Sequence, residues 1–173
     1  MLICARLCLL ALLLLPRLSH AQEQGPPAPS AIAPQLQLAT DYLEALTQRD
    51  FHQLGRMLHR DTKFHDVMAG KKLNGTRDIL TFLRQVHIYT ERFAFNVDHQ
   101  FYKGSTVVLI GSYYYQARGN LFGMPDRLIT LTLPGVTTLT VDVETQRIDE
   151  HTDMLDYESM KAQLRTYRYE PAP

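Results

Sequence analysis

Thr106-Val107-Val108-Leu109-Ile110-Gly111-Ser112-Tyr113-Tyr114-Tyr115-Gln116 decides the fold class. The run is rich in β-branched and aromatic residues and lacks proline, which is the composition of a long strand. Side chains of a strand alternate between faces, so Tyr113 and Tyr115 share one face and Tyr114 takes the other. Just upstream, Phe93, Phe95 and Val97 alternate with Ala94, Asn96 and Asp98. Downstream, Leu128–Leu133 and Val136–Val143 read as further strands, with Pro134-Gly135 between them as a hairpin turn or a bulge. Arg147–Leu155 is a last strand. Arg118-Gly119-Asn120 and Gly123-Met124-Pro125-Asp126 carry turn chemistry.

Upstream of about Tyr89 the period changes to that of a helix. Leu36, Ala39, Tyr42, Leu43 and Leu46 define a first amphipathic helix, and Phe51, Leu54, Met57 and Leu58 a second. Thr62–Val67 is a short extended piece. Thr76 is the expected N-cap of a third helix striped by Ile79, Phe82, Leu83 and Val86, with Asp78 suited to its first turn. Asp156 is placed to cap a short C-terminal helix carrying Met160, Leu164 and Tyr167. Helices first, then strands joined by short turns, predict an α+β domain with three helices packed on a mostly antiparallel sheet.

The first residues follow another logic. Arg6 precedes the nine-residue apolar run Leu7–Leu15, far short of the roughly 20 residues that a spanning helix needs. Pro16 ends the run, and Ser19-His20-Ala21 suits signal cleavage. Residues 1–21 therefore read as a secretory signal, giving an exported protein, periplasmic or extracellular, with no stable membrane anchor after cleavage. Cys4 and Cys8 both leave with the signal, so no disulfide or thiolate site is expected. Residues 22–34 hold four prolines and read as a tether, which leaves 35–170 as one domain. The chain has 18 basic and 18 acidic residues. Losing Arg6 and Arg17 takes the balance two units negative, which argues against nucleic-acid binding.

Three stretches together resemble the SnoaL-like branch of the nuclear-transport-factor-2-like superfamily, which includes polyketide cyclase-like and ketosteroid isomerase-like proteins. They are Tyr42–Phe51, then Thr62–Asp66 with Leu73–Ile79, then Val141–Asp153, where Gln146 stands at a usual glycine. The resemblance implies a cone-shaped barrel that encloses an apolar pocket between helices and sheet, binds a small apolar or amphipathic molecule and pairs as a homodimer through a sheet face. It carries over Asp66 as a general base, Tyr42 as a hydrogen-bond donor to substrate, and Asp153 with His151 as a pocket pair. Alternation places Asp149, His151, Asp153 and Leu155 on one face. His87, Tyr89 and Phe93 are placed at the pocket mouth. Two departures speak against steroid isomerisation: Val67-Met68-Ala69-Gly70 follows Asp66, and Thr137–Thr140 supplies no second acid.

No cofactor is implied. His65, Asp66, His151 and Asp153 are ligand types for zinc or iron, yet no close-spaced motif supports a metal. No phosphate-binding glycine loop or nucleophile elbow is present. Three readings remain open: cofactor-free proton transfer (isomerase, dehydratase, cyclase or hydrolase type), a ligand carrier, and a protein-interaction module.

Overall fold

The structure is a computed structural model and describes residues 32–125 and 127–169. The signal segment, both cysteines, the tether up to residue 31 and the turn residue Asp126 lie outside the described residues.

Among the described residues the helices α1 (Pro34–Gln48) and α2 (Phe51–Met57) come first, and α3 (Thr76–Val86) follows the first two strands. The strands are β1 (Leu58–Asp66), β2 (Lys71–Asn74), β3 (Thr90–Lys103), β4 (Thr106–Arg118), β5 (Leu128–Asp142) and β6 (Arg147–Leu155), and α4 (Tyr157–Tyr169) follows β6. The α+β architecture is the expected one. The six strands run in the order β2-β1-β6-β5-β4-β3. All pair antiparallel except β1 with β6. The sheet is mixed and open, with β2 and β3 at its edges.

Local chemistry accounts for the elements. Pro34 sits in the first turn of α1, where its missing N–H costs nothing. Asp50 caps α2 by accepting from the amides of His52 and Gln53. The α3 cap differs from the expectation. Gly75 holds the position at φ 85°, and a Cβ there would lie 2.8 Å from the Arg60 carbonyl oxygen. Thr76 instead donates its hydroxyl to the His59 carbonyl at 2.9 Å. The turn before β6 uses Gln146 at φ 57°, the left-handed geometry that normally falls to glycine.

Pro134-Gly135 is neither turn nor bulge: β5 runs through it as one strand. Gly135 lies opposite Gly111 on β4, and its pairing with Leu155 is the last that β6 offers. Pro134 thus falls just beyond the end of β6, where its missing donor breaks no ladder bond on that side. From there back to Leu128, β5 has β4 on one side only, and side chains of α4 take over the other. Gln163 accepts from the Thr132 amide and donates to the Thr132 carbonyl, and the Tyr167 hydroxyl does the same for Thr130. An exposed strand edge is covered by a helix.

Two apolar clusters fill the inner side of the sheet. One joins α1–α3 to β1, β4, β5 and β6 through Leu38, Tyr42, Leu46, Leu54, Ile79, Val107, Leu109, Leu139 and Ile148. The other lies toward α4 and holds Tyr113, Ile129, Leu131, Leu133 and Leu155. Phe93 and Phe95 pack against both.

Candidate functional site

Strand register assembles the site. On the parallel pair β1 and β6, Phe64 lies beside His151 and Asp66 beside Asp153. On the other flank of β6, Asp153 pairs with Thr137 of β5. All of these side chains enter one face, and His151 and Asp153 are buried at 1% and 6% exposure. Asp149 does not join them. Thr140 pairs with Glu150 but Val141 with Ile148, so Asp149 is the extra residue of a bulge and turns outward.

Phe64, Asp66, His151 and Asp153 line a cavity of about 120 Å³ whose other walls include Leu46, Phe82, Leu83, Val86, Phe93, Tyr113, Tyr115, Leu155 and Tyr157. Asp66, His151 and Asp153 reach it, and so does His87. Two predicted residues stand elsewhere. Tyr89 is exposed and outside the lining. Tyr42 is fully buried behind the wall, and its hydroxyl meets His151 Nδ1 at 2.9 Å rather than the cavity.

That contact fixes His151. Burial, then the nearby Asp153 charge, push the Tyr42 phenol far above its ordinary pKa, so it stays protonated. It therefore donates to Nδ1 and leaves the ring proton on Nε2. The opposite tautomer would turn a lone pair of Nε2 toward Asp153 Oδ1, which lies 3.0 Å away. The Nε2–H is not aligned on that oxygen and makes no hydrogen bond. The Nε2–H therefore lies against the Asp153 carboxylate at the cavity wall without a linear hydrogen bond to it.

The two carboxylates are held differently. Asp66 accepts from the Ala69 amide at 3.0 Å through Oδ1 and from the Tyr157 hydroxyl through Oδ2, so it caps the turn after β1 while facing the cavity. Asp153 accepts the Thr137 hydroxyl on Oδ1 at 2.6 Å, and Thr137 in turn takes the Tyr113 hydroxyl at 3.1 Å. Asp153 Oδ2 receives no hydrogen bond from a described residue. It is the carboxylate oxygen free to take a proton.

The aromatic walls are neutral. Burial raises the Tyr113, Tyr115 and Tyr157 phenols above the ordinary tyrosine range, with Asp153 adding to each and Asp66 to Tyr115 and Tyr157. His87, stacked on Tyr115 with 5.5 Å between ring centroids, is pushed down to about 4 by burial and by Arg49. It is an uncharged imidazole at neutral pH. Among the described residues, no cluster of three or more His, Asp or Glu side chains has a geometry that could hold a metal ion.

Thr137, Tyr157 and the partnering of Tyr115 escape sequence reading. Only the tyrosine alternation pointed at Tyr115. Thr137 occupies a strand position where an acid is absent, and Tyr157 comes from a helix distant in sequence.

An open α+β sheet holding ionisable groups in an apolar cavity is the ketosteroid isomerase and nuclear-transport-factor-2 type of fold. Residues 39–151 match the SnoaL-like domain family model, and the chain belongs to that family. It is similar to a protein from Shewanella denitrificans described as a SnoaL-like polyketide cyclase, at 42% identity and TM-score 0.74, over 76% of this chain and 97% of that one. A second protein so described, from Shewanella putrefaciens, shares 37% identity at TM-score 0.76, over 78% of this chain and 98% of its own. An epoxide hydrolase of the LEH-like type from Mycobacterium tuberculosis has the same fold, at 18% identity and TM-score 0.63, over 77% and 90% of the two chains. Comparison with curated proteins gives no match.

Proposed function

We propose that this chain binds a small amphipathic carbonyl compound in the cavity and transfers a proton on it without a cofactor. One observation carries the reading: Asp153 is fixed through Oδ1 by Thr137 while Oδ2 stays unbonded at the cavity. A carboxylate so placed can remove a proton from a carbon next to a carbonyl, the step common to cyclase and isomerase chemistry. His151 Nε2–H and the neutral Tyr115 phenol supply donors for the oxygen on which charge develops. Asp66, with both oxygens engaged, shapes the field of the site instead of acting as the base. Tyr42 acts through His151. The polyketide cyclase description of the Shewanella relatives supports the same chemistry.

Export and self-association complete the proposal. Residues 1–21 support export, and the N-terminal mass of protein recovered outside the cytoplasm tests it. For a homodimer, the support is an apolar row on the outer sheet face, where Met154, Val136 and Ile110 pair across three strands, with Phe101 nearby at 52% exposure. Sedimentation of parent and Ile110→Glu tests that surface.

The function is tested with a panel of ketones, each assayed for binding by thermal shift and for turnover. Binding with turnover lost in Asp153→Asn supports the enzyme. Ligand stabilisation that survives Asp66→Asn and Asp153→Asn, without turnover in the parent, identifies a carrier and overturns the catalytic reading.

A further inference from the structure

The cavity at the carboxylates is too small for most ligands. At about 120 Å³ it falls below the ~150 Å³ apolar cavity that takes one benzene, and well below the roughly 300 Å³ at which ligand pockets begin. A second hollow of about 190 Å³ lies beside it, under α4 and the short 3-10 turn Gly119–Phe122. Val86, Tyr115, Leu155 and Tyr157 belong to the walls of both. The second hollow adds Thr90, Ala117, Leu121, Phe122, Leu131, Leu133 and Met160, and no charged side chain among the described residues.

Tyr115 stands at the junction. Its ring stacks on Phe93, 4.4 Å between centroids, and its hydroxyl makes no hydrogen bond to a described residue. The neighbouring Tyr113 and Tyr157 hydroxyls are both engaged, with Thr137 and Asp66 respectively. A neutral phenol donor is thus left open between a polar and an apolar compartment.

We propose that the two hollows are one site for a ketone with an apolar tail, in which the carbonyl oxygen accepts from the Tyr115 hydroxyl and the tail lies against Leu131, Leu133 and Met160 under α4. This deepens the functional reading above and rests on it. An acceptor head is favoured because the open group at the junction, Tyr115 Oη–H, is a donor. A carboxylate head would face Asp66 and Asp153. An apolar tail is favoured because, apart from Thr90 and the two tyrosines, the described annex walls are apolar.

The test is calorimetry on the full chain with 2-butanone, 2-pentanone, 2-hexanone, 2-heptanone and 2-octanone. Burying each methylene should tighten binding about three- to four-fold until the annex is full. Met160→Trp, and independently Leu121→Trp at the annex rim, should flatten that slope, whereas Met154→Trp on the outer sheet face should leave it steep. Tyr115→Phe should weaken every ketone by a similar factor, about five- to ten-fold, without changing the slope. Ketones that bind with no chain-length slope overturn the annex and leave the functional reading standing. A slope unaffected by both annex variants also overturns it. A heptane-2-amine that binds more tightly than 2-heptanone overturns the ketone head. No binding by any ketone overturns this proposal and the functional reading together.

Discussion

The two halves of β5 face the same side of the sheet and do opposite work. From Gly135 to Asp142 the strand is flanked by β4 and β6, and Thr137 ties it to Asp153. From Leu128 to Leu133 it has lost β6, its edge is satisfied by Gln163 and Tyr167, and its inward residues are Ile129, Leu131 and Leu133. The first half carries Thr137 beside Asp153 among buried apolar neighbours, and the second carries apolar side chains alone. Where β6 stops, the register that holds Asp153 stops with it, and the helix that replaces β6 packs Tyr157, Met160, Leu164 and Tyr167 against Ile129, Leu131 and Leu133.

Gly135 is the joint between the halves, so breaking it should have the largest effect. A Cβ there would meet the Met154 carbonyl oxygen at 2.6 Å. Gly135→Val should cost on the order of 4 kcal/mol, read as a drop in the denaturation midpoint. A near-neutral result would mean that the halves are not locked together.

Next comes pH. His87 is held neutral, with its pKa lowered from 6.5 to about 4. Between those values the unfolded chain binds the proton and the folded chain resists it. Stability from this residue is therefore complete above about pH 6.5 and is lost as pH falls toward 4, by up to about 3 kcal/mol. His87→Gln should remove that fraction of the acid sensitivity, and denaturant titrations at pH 7 and pH 4.5 measure it.

The polar half is probed by Thr137→Val. It leaves the Tyr113 hydroxyl unpartnered and frees Asp153 Oδ1, for about 2 kcal/mol of stability and a several-fold lower turnover. The apolar half is probed by Gln163→Ala, which strips Thr132 of its edge partners at a cost of about 1 kcal/mol. Amide exchange at Thr132 should speed up while that at Thr137 stays slow. Smallest is Gln146→Gly, which relieves a left-handed residue and should stabilise by a few tenths of a kcal/mol.

Much of the fold was readable because it is local. Helical spacing in Leu36–Leu46 and alternation in Tyr113–Tyr115 report faces directly, and the open question at Pro134-Gly135 arose because both residues punctuate chains in isolation. Its answer depends on where β6 ends, which no local pattern states. The site was readable in its acids and His151, which lie in family-like stretches. The pairing of Asp66 with Asp153 across a parallel ladder is a long-range fact, and so are the partners Thr137 and Tyr157. The bulge at Asp149 shifted one residue of an otherwise sound alternation. Tyr42 has the chemistry of a donor, but its depth in the core directs that chemistry to His151.

The proposed function puts the base at Asp153 Oδ2, beside a bound carbonyl. Proton NMR of 2-heptanone in D₂O measures this directly, as loss of signal at the carbons flanking the carbonyl. Exchange by the parent protein should fall about 100-fold or more in Asp153→Asn, with 2-heptanone still bound. Equal exchange by parent and Asp153→Asn would contradict it.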